Sequence, residues 1–398
     1  MNREDFKLLE NNLIYFDNGA TTLKPKVVRD AINDYYDKYS ANAHRGDYKI
    51  SAVVDSLYED TRKKVANFIN AKEPSEIVFT SGTTNGMNMI VFGFFKKYLN
   101  EGDEVLITLS EHASNIIPWF ILQKEIGIKV KYIELNDKHE VEINNVRNAI
   151  TNKTKVISLA YITNVIGDER PIKEISKLAH DNNILMVVDA AQGAPHKKIN
   201  VQEDDIDFMA FSGHKMYGPT GIGVLYGKFD LLDKMIPMNY GGGMNAMFTK
   251  DGYVELREIP TRLEGGTPNI EGVIGLGEAV TYLENIGIDK INEYEKNLRK
   301  YLIDELSKLD FIEIYNKDND SNIVAFNIKG VFAQDTAVYL DKYNICVRAG
   351  NHCAKILNNV FNINNTVRIS LSFYNNKEEI DLLINVLKNS ANIWKEIL

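Results

Sequence analysis

Cysteine is nearly missing from this chain: 398 residues contain two, Cys346 and Cys353. Two thiols that close together are too few for a disulfide framework and suit a reducing cytoplasm. Long hydrophobic runs are missing as well. The most apolar window, Met89 to Phe95, is far too short to cross a bilayer. The charged start, Met1-Asn2-Arg3-Glu4-Asp5, leads into no apolar stretch of the kind a secretory signal needs. Basic charge is in deficit, with 46 Lys and Arg against 55 Asp and Glu and a net charge of −9. No nucleic-acid partner is expected, because such proteins neutralise phosphates with a basic face. No membrane association, no metal-ligand cluster and no internal repeat are expected either. What remains is an ordinary globular composition, 44% hydrophobic and 25% charged, in a chain longer than one core normally fills. Two domains are expected, or one large domain with a smaller lobe.

The stretch Phe211-Ser212-Gly213-His214-Lys215-Met216-Tyr217-Gly218-Pro219 stands between two apolar runs, Phe208 to Phe211 and Ile222 to Tyr226. Turn residues bound both runs, as they bound buried strands. Lys215 is thereby placed at a strand end, which is a poor position for a solvated surface charge. A lysine that forms a Schiff base with a carbonyl cofactor such as pyridoxal phosphate explains it better than a lysine with a buried stem.

Seven runs read as strands: Ile77–Thr80, Val105–Ile107, Lys129–Ile133, Val156–Leu159, Leu185–Val188, Phe208–Phe211 and Gly223–Tyr226. Helical periodicity alternates with them, which implies an α/β fold with a mostly parallel sheet covered on both faces. Ligands collect at the carboxyl ends of such strands. Near residue 270 the texture changes. Gly265-Gly266-Thr267-Pro268-Asn269 is a breaker cluster, and two amphipathic helices follow it. Shorter strands at Ile323–Phe326 and Ile345–Val347 come next, then a last helix carrying Ile380, Ile384 and Leu387. The expected division is a large domain over 16–269 and a smaller α+β domain from 1–15 and 270–398.

Several residues at strand ends carry chemistry. Ser81-Gly82-Thr83-Thr84-Asn85-Gly86 opens a helix, so its N–H groups could cradle an anion, or it is simply an N-cap. Asp189 closes the strand Leu185–Val188 and could keep a pyridine nitrogen protonated, or cap a helix. Gln192 could reach a ring hydroxyl or lie in solvent. His112 is either an inert histidine or an aromatic that stacks on a cofactor and moves protons. Arg348-Ala349-Gly350-Asn351-His352-Cys353-Ala354 is a loop past a strand, and cations beside a thiol increase its thiolate fraction, so Cys353 is the candidate nucleophile. Cys346 lies inside a strand and reads as a small core residue. Arg368 alternates with apolar neighbours, and its fork suits an amino-acid carboxylate or a structural ion pair.

Together these residues resemble the class V aminotransferase superfamily, and within it the group II cysteine desulfurases of iron–sulfur cluster assembly. The most specific pieces are Ser212-Gly213-His214-Lys215 with Tyr217-Gly218-Pro219-Thr220-Gly221, and Arg348 to Ala354. The resemblance implies the fold of type I pyridoxal-phosphate transferases and a cytoplasmic homodimer. It makes Lys215 the Schiff-base lysine, Asp189 the pyridine-nitrogen partner and His112 the ring-stacking residue. It gives Thr83, Thr84, Ser212 and His214 to the phosphate, with Thr267 reaching in from the second subunit. Gln192 falls near the ring hydroxyl, Asn164 near the substrate, Arg368 on its carboxylate, and Cys353 receives sulfur. The implied reaction turns L-cysteine into L-alanine, the sulfur passing to an acceptor protein or small thiol. A selenocysteine lyase, a C–S lyase or a transaminase is the alternative within the family, and a non-catalytic scaffold the alternative outside it. Ala113, Ala349 and Asn351 stand where the family usually has histidine, threonine and histidine.

Overall fold

The computed structural model describes residues 3–44, 46–357, 363 and 365–397, the last seven by backbone alone. Its centre is a sheet of seven strands in the order β2-β8-β7-β6-β5-β3-β4. These are β2 (Ile77–Thr80), β3 (Glu104–Thr108), β4 (Lys129–Ile133), β5 (Thr154–Ala160), β6 (Leu185–Asp189), β7 (Phe208–Ser212) and β8 (Gly223–Gly227). The pairs from β4 through β7 are parallel, while β8 runs antiparallel to both β7 and β2. Alternate residues of each strand serve two different cores, as a period of two requires. In β6, Met186 and Val188 join one cluster and Val187 the other.

One face of the sheet is covered by α1 (Lys26–Asp34), α2 (Lys49–Phe68) and the helix Ile270–Ile286. On the other face lies α3 (Thr83–Asn88), whose helical path continues through Met89–Phe95 and Lys96–Tyr98. A further core lies in the later part of the chain. It gathers Leu298, Leu302 and Leu306 of the helix Ile288–Leu306 with Ile380, Leu383 and Leu387 of the last helix. These pack on a four-stranded sheet of β11 (Ile312–Ile314), β12 (Ile323–Ile328), β15 (Thr366–Ser370) and β14 (Arg348–Gly350). Ile14 and Phe16 also belong to this core, because β1 (Ile14–Tyr15) pairs in parallel with β13 (Ile345–Cys346). The hairpin of β9 (Asn245–Phe248) and β10 (Val254–Leu256) stands apart as an antiparallel pair. No helix among the described residues is long and apolar enough to cross a membrane.

Candidate active site

The carboxyl ends of the large sheet's parallel strands surround a cavity of about 240 Å³. Lys215 lines it, because β7 ends in a single 3-10 turn, Gly213–Lys215, that swings the lysine in directly after the strand. That turn is pinned from the opposite end of the chain. The His214 carbonyl accepts hydrogen bonds from Thr22 N at 3.0 Å, Thr21 Oγ1 at 3.0 Å, Thr22 Oγ1 at 3.2 Å and Lys24 Nζ at 3.2 Å. The Lys215 ammonium is lowered to about 8, chiefly by desolvation, with Asp189 opposing the shift and Arg368 and Arg348 adding to it. At neutral pH an appreciable fraction of this lysine is therefore an uncharged amine, which an ordinary lysine is not.

Asp189, at the end of β6, lines the same cavity and is 4% exposed. Burial pushes its carboxyl up, while a hydrogen bond from Ala191 N and the Lys215 charge pull it down. A buried carboxylate without a full counter-charge is suited to a protonated ring nitrogen. His112 stands after β3. Its Nδ1 accepts from the Ser114 backbone N–H at 3.1 Å, so the neutral ring carries its proton on Nε2. Burial, then the charges of Lys215, Arg368 and Arg348, lowers it to about 4.

Around the start of α3 a cluster of hydroxyls is knitted together. Ser212 Oγ accepts from Thr83 N at 2.8 Å and pairs with Thr83 Oγ1 at 2.7 Å, while Thr84 Oγ1 pairs with Ser114 Oγ at 2.7 Å. His214 closes this side, lowered to about 4 by burial and by Lys215 and Lys24. The backbones here approach so closely that a Cβ on Gly223 would stand 2.5 Å from Gly82 Cα. Gln192 donates from Nε2 to the Gly19 carbonyl at 2.8 Å and faces the cavity beside it.

Cys353 comes from the second sheet's side, on a loop whose residues His352 and Cys353 both take left-handed backbone angles, φ 50° and 57°. Such angles cost a non-glycine residue about 1 kcal/mol or more and persist only where the surroundings enforce them. The enforcement is visible. The Cys353 carbonyl accepts from Ala113 N at 2.8 Å, and the His352 carbonyl from Asn164 Nδ2 at 2.6 Å. Position 113 thus holds the loop through its backbone, which alanine supplies as well as histidine would. His352 donates from Nε2 to the Thr366 carbonyl at 3.0 Å. The Cys353 residue is exposed, and Cys346 is half-buried. Arg368 is buried among the same groups, with Nη1 on the Asn164 carbonyl at 2.9 Å and Nη2 on Asp17 Oδ1 at 3.0 Å.

Twelve residues were singled out from sequence, and eleven of them line this cavity: Thr83, Thr84, His112, Asn164, Asp189, Gln192, Ser212, His214, Lys215, Cys353 and Arg368. Thr267 does not. It lines a different cavity, with Ser81, Gly221 and Asn269. The wall also includes Gly19, Ala20, Ala160, Ile162 and Ala191, which carry no reactive group and give no signal in sequence.

A cavity with an activated lysine, a buried carboxylate at a strand end, a hydroxyl cradle and an arginine defines a class, the enzymes that bind a carbonyl cofactor through lysine. The comparisons agree. The family described as aminotransferase class-V matches residues 14–383, and the chain belongs to that family. Within it, the chain is similar to cysteine desulfurases. A probable cysteine desulfurase of Halalkalibacterium halodurans is 43% identical, over 97% of this chain and 95% of its own length. A probable cysteine desulfurase of Staphylococcus aureus is 41% identical, over 98% and 96%. The solved cysteine desulfurase CsdA of Escherichia coli superposes with a TM-score of 0.93 at 35% identity, covering 98% of each chain. That of Thermococcus onnurineus also gives 0.93, at 39% identity, covering 97% of this chain and 96% of the other.

Pyridoxal phosphate is the cofactor of this family, and the residues fit it. Asn164 Oδ1, His352 Nδ1 and Arg368 Nε are buried at the cavity with no protein partner. Buried polar atoms without partners are costly, so three at one wall point to a polar ligand there. Lys215, Asp189 and the Thr83, Thr84, Ser212 and His214 cluster are the groups that would meet its aldehyde, ring nitrogen and phosphate.

Proposed function

We propose that this protein is a cysteine desulfurase, which takes L-cysteine to L-alanine and retains the sulfur on Cys353 as a persulfide. The single observation that carries the reading is that an exposed cysteine and a buried lysine of lowered basicity line one cavity. Pyridoxal phosphate, when bound, supplies an aldehyde for the amino group and a ring that accepts the electrons released at Cα. Lys215 Nζ takes the Cα proton, which its lowered basicity allows it to hold and return near neutral pH. With the cofactor bound, Asp189 would favour a proton on the ring nitrogen, His112 would stand beside the ring with its proton on Nε2, and Arg368 would hold the substrate carboxylate with Asn164 beside it. Cys353 Sγ then attacks the substrate sulfur. An S–S bond forms as the Cβ–S bond breaks, the bond pair stays with Cβ, and Cβ takes a proton as alanine leaves.

An acceptor protein or small thiol would collect the persulfide sulfur, and iron–sulfur cluster assembly in the cytoplasm is the role that suits it. A homodimer belongs to the same proposal. It is supported by Thr267 facing a cavity other than that of Lys215, and by the apolar exposure of the β9–β10 hairpin. The division into 16–269 and 1–15 with 270–398 is proposed with it and is supported by the later core that Ile14 joins; against those bounds, Phe16 joins that core too, while Phe6, Leu9 and the helix Ile270–Ile286 pack on the first core.

The test is release of alanine and sulfide from L-cysteine with a reductant present. Wild type should release both, and Cys353→Ala should lose sulfide transfer while keeping the visible absorption of the bound cofactor. Undiminished transfer by Cys353→Ala would sink the persulfide route.

A further inference from the structure

Two arginines face the cavity, and by their placement they should repel. Arg348 on β14 and Arg368 on β15 are directly opposed partners in an antiparallel pair, so both side chains project from one face. Like charges placed in this way destabilise a sheet. Arg368 bears its charge with 2% of its side chain exposed, whereas Arg348 is 43% exposed. The compensation comes from the first residues of the chain. Asp17 Oδ1 lies 3.0 Å from Arg368 Nη2, and its Oδ2 lies 3.8 Å from Arg348 Nη1. One carboxylate is divided between two guanidiniums.

Asp17 is not a passing surface charge. Its backbone bridges Ser370 in parallel fashion, and its carbonyl accepts from Ala20 N at 3.1 Å and Thr21 N at 3.4 Å. Gly19, two residues on, lies against the guanidinium, where a Cβ would come within 3.1 Å of Arg368 Cζ. The turn thus carries the carboxylate to the arginine pair and holds it there. Two cations less one anion leave a formal charge of plus one, which one further carboxylate neutralises. Arg368 Nε is buried and makes no hydrogen bond among the described residues, and a guanidinium has more N–H donors than Asn164 and Asp17 take up.

We propose that Asp17 is a specificity-determining residue of the carboxylate subsite. By taking up half of the arginine pair's charge it restricts the site to amino acids with a single carboxylate and turns away those with a second anionic group. The inference rests on the reading of Arg368 as the carboxylate holder.

The test is calorimetric binding of L-alanine and of L-aspartate to the cofactor-loaded protein, at two salt concentrations. Wild type should prefer L-alanine. In Asp17→Asn the ratio of affinities should move about tenfold toward L-aspartate, the scale on which one unit charge acts at a few ångströms in a partly screened site. The shift should shrink in high salt. Asp17→Glu should keep the wild-type preference. The double variant Asp17→Asn with Arg348→Gln returns the formal sum to plus one and should return the preference for L-alanine, which a merely structural role for Asp17 does not predict. An unchanged ratio in Asp17→Asn that still binds L-alanine would overturn the inference and leave the proposed function standing, as would a double variant no more selective than the single one. Wild-type protein that binds neither amino acid and releases no alanine from cysteine would overturn both.

Discussion

Lys215 sits where an ammonium is poorly solvated, and this has a cost in stability whose sign can be worked out. Its folded value of about 8 lies below the ordinary 10.5, chiefly by desolvation. Between those two values the unfolded chain binds more protons than the folded one, so stability should rise with pH across that window. Below about 8 the folded protein carries the whole penalty. In cofactor-free protein, Lys215→Met should therefore melt at a higher temperature than wild type at pH 7, with the gap closing as pH rises from 8 toward 10.5. Scanning calorimetry at a series of pH values decides it, and a gap that does not change with pH would remove desolvation as the cause. The same substitution should abolish turnover, since the loss of a positioned acid–base group alone costs about 10²- to 10⁴-fold. His112 and His352 add no comparable switch at neutral pH, because burial holds them down to about 4 and about 3.

Among the elements, β8 and the start of α3 depend on each other through the absence of one side chain. A Cβ at Gly223 would meet Gly82 Cα at 2.5 Å, Phe211 O at 2.6 Å and Gly82 N at 2.9 Å, all backbone atoms that cannot rotate away. Gly223→Ala should separate β8 from the turn that carries Thr83 and Thr84, costing about 1–3 kcal/mol or more. A lowered melting temperature together with loss of cofactor on dialysis would show it, and a variant that melts and binds like wild type would refute it. The strands themselves were legible because nearly all are apolar runs closed by turn residues, the exception being β4 with Lys129 and Lys131, and all seven of the large sheet fall where the sequence predicts them. The reversal of β8 was not legible, because hydrophobic periodicity has no direction. The cavity was legible where its groups are reactive, as with Lys215, Asp189 and Cys353. It was not legible where the wall is backbone, as at Gly19 and Ala20, or where partners lie far apart in the chain, as with Asp17 and Arg368 or Asn164 and His352.

At the scale of the whole molecule, the β9–β10 hairpin and its flanks expose apolar side chains that a monomer would normally cover. Phe248 is 71% exposed, Tyr240 67%, Val254 55% and Tyr253 53%. Apolar surface of this kind suits an interface, and in the proposed homodimer a twofold axis would bury it on both sides. The mass in solution should be that of two chains by analytical ultracentrifugation, and Phe248→Asp with Val254→Asp should shift it toward one. A wild-type protein that sediments as a single chain at micromolar concentration would rule this out. Cys353 bears on the larger scale too. Its loop is fastened at Ala113 and Asn164, yet the residue is exposed, whereas the Lys215 amine lies inside. A sulfur atom that reaches this thiol has changed address without the cavity changing shape. In the proposed reaction that outward berth is also the nucleophile, so until it is emptied the next cysteine finds no thiol to attack, and the pace of unloading sets the pace of loading.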